Sequence, residues 1–259
     1  MTFTQKTVTS KTALLGGLML SLLTALPAMA ITPQEIIQKS EAVMRGDTMQ
    51  GTMEMLIVKP KFQRKMVMQI WQDTKNDRFL SRVMAPAKEK GTGSLKIDKS
   101  MWNYLPKVEK VMKIPPSLMM QPWMGSDFTN DDMVKEVSLE DDYKQKLLGQ
   151  ATVNGVKTYQ LELIPNPDVP VVWGKLHYYV NTSNFLPVKQ DFFDEKGKLV
   201  KYMSFSNVKK MHNRLVPTRM EMVPVTKKGQ KTVLTYLELQ YDVKIPADIF
   251  SLRNLKDTK

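Results

Sequence analysis

The sequence predicts a mainly β protein in which an export leader and one amphipathic helix are followed by a single large, curled antiparallel sheet. Three observations predict it. From Met49 onward apolar and polar residues alternate with period two along most of the chain. Short Gly- and Asp-containing turns separate the alternating runs. Only one segment, beginning at Thr32, carries a full set of helix start and stop signals. No strand–helix–strand alternation is present, which argues against a parallel sheet.

Residues 1–30 read as a cleaved signal peptide. Lys6 and Lys11 give a positive n-region, Ala13 to Leu26 is an uncharged Leu-rich run, and Pro27 precedes the small-x-small site Ala28-Met29-Ala30. The apolar run of about 14 residues is shorter than the roughly 18 to 20 of a spanning helix. The mature chain is expected to begin at Ile31 and to work in the periplasm. No linker or composition break divides residues 31–259, so they are expected to form one domain.

Export narrows the meaning of the charge. The formal net charge is +12, of which Lys6 and Lys11 supply two. In an exported protein the remaining excess points to transient contact with an anionic membrane, or to a solvated basic surface, and not to nucleic acid. The basic clusters Lys107-Lys110-Lys113, Lys209-Lys210-Arg214 and Lys227-Lys228-Lys231 are short and interrupted. The chain has no cysteine, hence no disulfide framework and no lipid-bearing residue at the cleavage site, and an ordinary core must hold it.

The helix runs from Thr32 to about Arg45. Thr32 and Glu35 form a capping box, Pro33 sits at the first helical position, and Gly46 follows the end. Ile36, Ile37, Val43 and Met44 mark its apolar face. Strand patterns follow around Met49–Ile57, Met66–Ile70, Phe79–Met84, Tyr159–Ile164, Leu176–Val180, Val188–Phe193, Leu199–Val208, Thr218–Val223 and Thr232–Leu239. Asp194–Lys198 and Lys227–Gln230 read as hairpin turns. About ten or eleven strands are expected in all.

One mid-chain segment breaks the pattern. Pro115 to Gly125 is apolar, bounded by Pro and Gly, and poor in β-branched residues, so it should be a loop or short helical turn that covers or binds something. The polar stretch Ser126 to Glu136 follows, where Asp127, Asp131 and Asp132 read as a helix N-cap with a solvated first turn.

Signs of catalysis are missing. His177 and His212 fall in separate expected strands, and no Gly-x-Ser-x-Gly or His-Glu-x-x-His occurs. Neither an enzyme nor a metal or cofactor site is expected. The chain is instead rich in methionine, with 20 in total, of which Met1, Met19 and Met29 precede Ile31. Methionine suits both irregular cores and surfaces that adapt to variable apolar partners.

Met101-Trp102-Asn103-Tyr104-Leu105-Pro106, then Lys110 to Pro115, then Met124-Gly125-Ser126-Asp127-Phe128-Thr129-Asn130-Asp131-Asp132 together resemble the outer-membrane lipoprotein-sorting protein family, relatives of the periplasmic lipoprotein carrier LolA. The closing stretch Tyr241 to Ser251 is similar to that family's end. The resemblance implies an unclosed β-barrel around an apolar cavity, lidded by short helices, that shields acyl chains of a lipid or lipoprotein in transit between membranes. It also implies a partner transporter of the resistance-nodulation-division (RND) type. On that footing Met53, Met55, Met66, Met68, Ile70, Trp102 and Tyr104 are expected to line the cavity, with Leu118, Met119, Met120, Trp123 and Met124 as the lid. A register error of one residue would invert which strand face points inward. Carriers of this kind use a strand arginine in lid closure, for which Arg64, Arg78 and Arg82 are the candidates. A different class of function is a non-carrying accessory subunit that docks on an inner-membrane transporter through its basic surface.

Overall fold

The capping box forms as the sequence predicts: the Thr32 hydroxyl accepts from the Glu35 amide at 3.2 Å, and the Glu35 carboxylate accepts from the Thr32 amide at 2.8 Å. Helix α1 (Pro33–Met44) starts there and buries Ile36, Ile37 and Ser40. The computed structural model describes residues 1–4, 31–134, 138–167 and 172–257. The expected signal peptide from residue 5 to its cleavage site, and Lys135 and Glu136 of the polar stretch, lie outside the described residues. Met1–Ala30 and Ile31–Lys259 are separate units, and the elements named below belong to the second.

Among the described residues thirteen strands follow α1: β1 (Thr48–Lys59), β2 (Phe62–Asp73), β3 (Arg78–Ala85), β4 (Gly93–Ile97), β5 (Ser100–Leu105), β6 (Lys110–Lys113), β7 (Tyr143–Val153), β8 (Val156–Pro165), β9 (Lys175–Asn181), β10 (Pro187–Phe193), β11 (Leu199–Met211), β12 (Arg214–Pro224) and β13 (Lys231–Tyr241). They form one antiparallel sheet in the order β6-β5-β4-β3-β2-β1-β13-β12-β11-β10-β9-β8-β7. The first and last strands therefore pair in the middle of the sheet, Met55 opposite Leu234. Strands β6 and β7 form its two edges and do not pair with each other, so the barrel stays unclosed.

The strand count exceeds the expected ten or eleven because of β4 to β7. Strands β4, β5 and β6 are only four to six residues long, too short to show a period. In β7 burial alternates throughout, but the inward positions include Gln145 and Gly149 while Leu148 faces out, so the apolar residues do not display the period.

Apolar side chains gather on both faces. The larger cluster lies on the inner face, where the sheet meets α1 and the segment 114–134, and includes Ile36, Met55, Met68, Trp123 and Phe128. The smaller lies on the outer face, where Trp71, Leu80, Leu95 and Tyr104 meet Phe250 and Leu255 of the C-terminal segment. Helix α3 (Leu252–Lys256) supplies Leu255.

Candidate functional site

The connection from β6 to β7 crosses the inner face. It holds two 3₁₀ turns, Pro116–Leu118 and Trp123–Gly125, and the short helix α2 (Asn130–Val134). Trp123 is fully buried, and its indole N–H donates to Ser94 Oγ at 3.0 Å, which in turn donates to Asn103 Oδ1 at 2.7 Å. Met53, Met55, Met66, Met68 and Ile70 share the inner cluster with it, each at most 3% exposed. Met119 and Met124 pack against that cluster half-buried. Leu118 and Met120 stand exposed.

Trp102 and Tyr104 are not brought to this face. Met101 lies in the inner cluster and Asn103 reaches Ser94, so strand alternation turns their neighbours outward, Tyr104 into the outer cluster and Trp102 against it.

Polar ties fasten the covering segment to strands far apart in the sheet. Arg64 of β2 donates from Nη1 to the Met124 carbonyl at 3.1 Å, while its Nε lies 2.9 and 3.0 Å from the Glu89 carboxylate oxygens. Lys59 of β1 pairs with Asp127 at 2.6 Å. Thr232 of β13 donates to Asp127 Oδ2 and accepts from the Asp127 amide, both at 2.8 Å. Lys201 of β11 pairs with Asp132 at 2.7 Å. Arg78 pairs with Asp73, and Arg82 donates to the Asn254 carbonyl; of the three candidate arginines, Arg64 is the one that holds the covering segment.

These contacts correct the expectation for the acidic group. Its first turn is not solvated: the Asp127 side chain is 4% exposed and Asp131 is buried. The capping bonds are exchanged between Thr129 and Asp132, at 3.0 and 2.8 Å. The acids turn inward because lysines on the sheet meet them.

A cavity of about 330 Å³ on the inner face is centred on the other half of the sheet and meets the methionine-rich strands at Gln72 of β2. It sits between α1, residues around Phe128 and Leu139, and strands β7 and β9 to β12. Met44, Phe128, Trp173, Leu176, Phe192 and Met203 give it an apolar wall. Trp173 meets Phe192 edge-on with centroids 5.1 Å apart, a favourable arrangement of ring quadrupoles. Ser40 and Tyr178 hydroxyls bond at 2.9 Å across the α1 side, and burial pushes the Tyr178 hydroxyl up to about 12. Burial also raises the Glu41 carboxyl, against the opposing pull of Arg45 at 3.6 Å and of the Leu139 amide at 3.0 Å. A smaller void of about 180 Å³ lies beside Met49, Met53, Ile70, Phe79, Lys96 and Met133, and shares Gln72 and Asp132 with the larger one.

The sequence reading missed this cavity because its lining comes from six strands and two helices, none with a composition that stands out. The one local signal is Lys201, a cation in the inward register of Met203 and Phe205. Among the described residues no group of His, Asp and Glu is placed to hold a metal ion.

A family model described as "-like: Uncharacterized protein" matches residues 75–257. The solved structure of an outer membrane lipoprotein-sorting protein domain from Vibrio parahaemolyticus is 25% identical and covers 87% of this chain and 98% of its own, with a TM-score of 0.76. A LolA superfamily protein from Nitrosomonas europaea is also 25% identical, covering 87% of this chain and 100% of its own at a TM-score of 0.72. The chain belongs to the LolA-like family of outer-membrane lipoprotein-sorting proteins. A DUF1329 family protein from Desulfovibrio piger, 24% identical over 86% of this chain and 97% of its own, shares the LolA-like fold at a TM-score of 0.78. No curated protein matches the sequence.

Proposed function

We propose that this LolA-like chain is a periplasmic carrier. It holds an acyl chain of a lipid or lipoprotein in the cavity between α1 and β9–β12, with segment 114–134 as the lid, and works beside an RND-type transporter in the inner membrane. The observation that carries this reading is the 330 Å³ cavity with its apolar wall beneath elements that are not part of the sheet. Taking a methylene as about the ~30 Å³ of a water molecule, the space holds about eleven. At roughly 0.8 kcal/mol each, their burial contributes on the order of 9 kcal/mol gross, enough for retention without a polar contact. A cargo with several long chains requires the lid to lift, breaking the ties from Lys59, Arg64, Ser94, Lys201 and Thr232.

One observation favours the accessory-subunit reading. The methionine stripe of β1 and β2 is covered by the protein's own Trp123, and the void beside it is about 180 Å³, so this side of the inner face offers less space to cargo. Native mass spectrometry of protein purified from the periplasm without detergent separates the two. An acyl-bearing adduct supports the carrier; an empty protein that also refuses added fatty acid supports the accessory subunit.

A further inference from the structure

Lys201 lies in the inward register of β11 and is 5% exposed. Its ammonium sits 4.8 Å from the centre of the Trp173 ring and 5.0 Å from that of Phe192, and pairs with Asp132 at 2.7 Å. Trp173, Phe192 and Asp132 all line the 330 Å³ cavity. The cation therefore stands directly behind the cavity wall, and the carboxylate that neutralises it comes from the covering segment, not from the sheet.

Such a placement does little for stability. Removing an ammonium from water costs several kcal/mol, and an apolar side chain of similar volume commonly does as well or better than a buried pair. If the cavity took only hydrocarbon, methionine at this position would serve. A fixed cation, with rings that favour positive charge beside it and a counter-ion mounted on a separate segment, is suited to exchanging one anion for another.

We infer that Lys201 is a recognition site for an anionic group, a carboxylate or phosphate, at the head of the acyl cargo, and that Asp132 occupies this site as an internal stand-in when the cavity is empty. The inference rests on the carrier reading and specifies its cargo. Entry of the anion displaces Asp132 and removes the tie between α2 and β11, so loading loosens the lid at this point. Glu41 and Asp131 also line the cavity. Glu41 is offset by Arg45, which also lines the cavity and lies 3.6 Å from it, while Asp131 disfavours an anion beside itself.

Dodecanoate, dodecyl phosphate and dodecanol, which share one chain, test this by displacement of the uncharged fluorophore N-phenyl-naphthylamine from the mature protein. A charge-assisted bond is worth about 1.5–3 kcal/mol, so an anion matched to Lys201 should bind about ten- to a hundredfold more tightly than the alcohol. A preference for dodecanoate alone, or for dodecyl phosphate alone, identifies a carboxylate or a phosphate head. Lys201→Met should abolish the preference and leave dodecanol unchanged. Asp132→Asn should strengthen binding of the anion about tenfold, because its competitor is gone. The double variant Lys201→Met/Asp132→Asn leaves neither charge unpaired and should bind all three ligands alike, which covers misfolding of either single variant. Equal binding of the three by the wild type, or weaker anion binding by Asp132→Asn, overturns the inference while the carrier reading stands. Failure of all three to bind the wild type removes the carrier reading, and this inference with it.

Discussion

The two halves of the inner face solve the same problem differently. On β1 and β2 the wall is methionine and isoleucine, the covering segment presses Trp123 onto it, and a void of about 180 Å³ remains alongside. On β9 to β12 the wall is aromatic and carries buried charge, and the space left is about 330 Å³. Methionine, unbranched and with three rotatable bonds, fits whatever is laid on it and so closes gaps. Rigid rings packed around an ion pair cannot follow a neighbour's contour, and space persists beside them. In this fold a methionine stripe marks the sealed side and the aromatic, charged side marks the open one.

The contrast can be broken by truncation. Trp123→Ala should cost about 3–5 kcal/mol, since it empties the centre of the sealed half. Met203→Ala faces existing space and should cost less than about 1.5 kcal/mol while weakening acyl retention. Urea unfolding measures both, and equal costs would erase the distinction.

Next in size is the tie at the rim. Arg64→Met frees the Met124 carbonyl and leaves Glu89 without its partner, and should cost about 1–2 kcal/mol, given that the arginine is partly exposed. Limited proteolysis should then cut within residues 114–127 faster than in the wild type. An unchanged cleavage rate would mean that apolar contact alone holds the segment.

Glu41 sharpens the comparison through pH. Burial raises its carboxyl above the ordinary value of 4.5, so the folded chain takes up a proton before the unfolded chain does. Its contribution to stability therefore falls as pH rises from about that value through the raised one, and is regained on acidification. Glu41→Gln keeps an acceptor for the Leu139 amide and should remove this slope from a series of Tm measurements across mildly acidic pH. The smallest effect is expected at the surface. Lys209→Glu with Lys210→Glu should change stability by no more than about 0.5 kcal/mol and leave acyl retention intact; a loss of retention would shift weight to these lysines.

Much of the architecture was legible in the sequence, and the residues show why. Thr32, Pro33 and Glu35 specify α1 through contacts within one turn, and long strands such as β1 and β2 announce themselves by period two. Strand β5 shows the limit. Met101-Trp102-Asn103-Tyr104 alternates in either register, and pairing with β4 and β6 decides that Met101 and Asn103 face inward while Tyr104 joins Trp71 outside. The apolar composition of Pro115–Gly125 found the covering segment and its central Trp123, but Leu118 and Met120, equally apolar, remain outside.

The sequence by itself determined the helix, the antiparallel class of the sheet, the covering segment and the family, because these rest on local spacing and on motif residues that can be read in order. The tertiary structure alone decided where the space lies and which charges meet. Lys201 and Asp132 are separated by most of the β7–β10 half of the sheet in sequence, and the cavity between α1 and β9–β12 is a remainder left by packing. A volume of that kind is a property of how thirteen strands curve around one helix and one loop, and no run of residues encodes it.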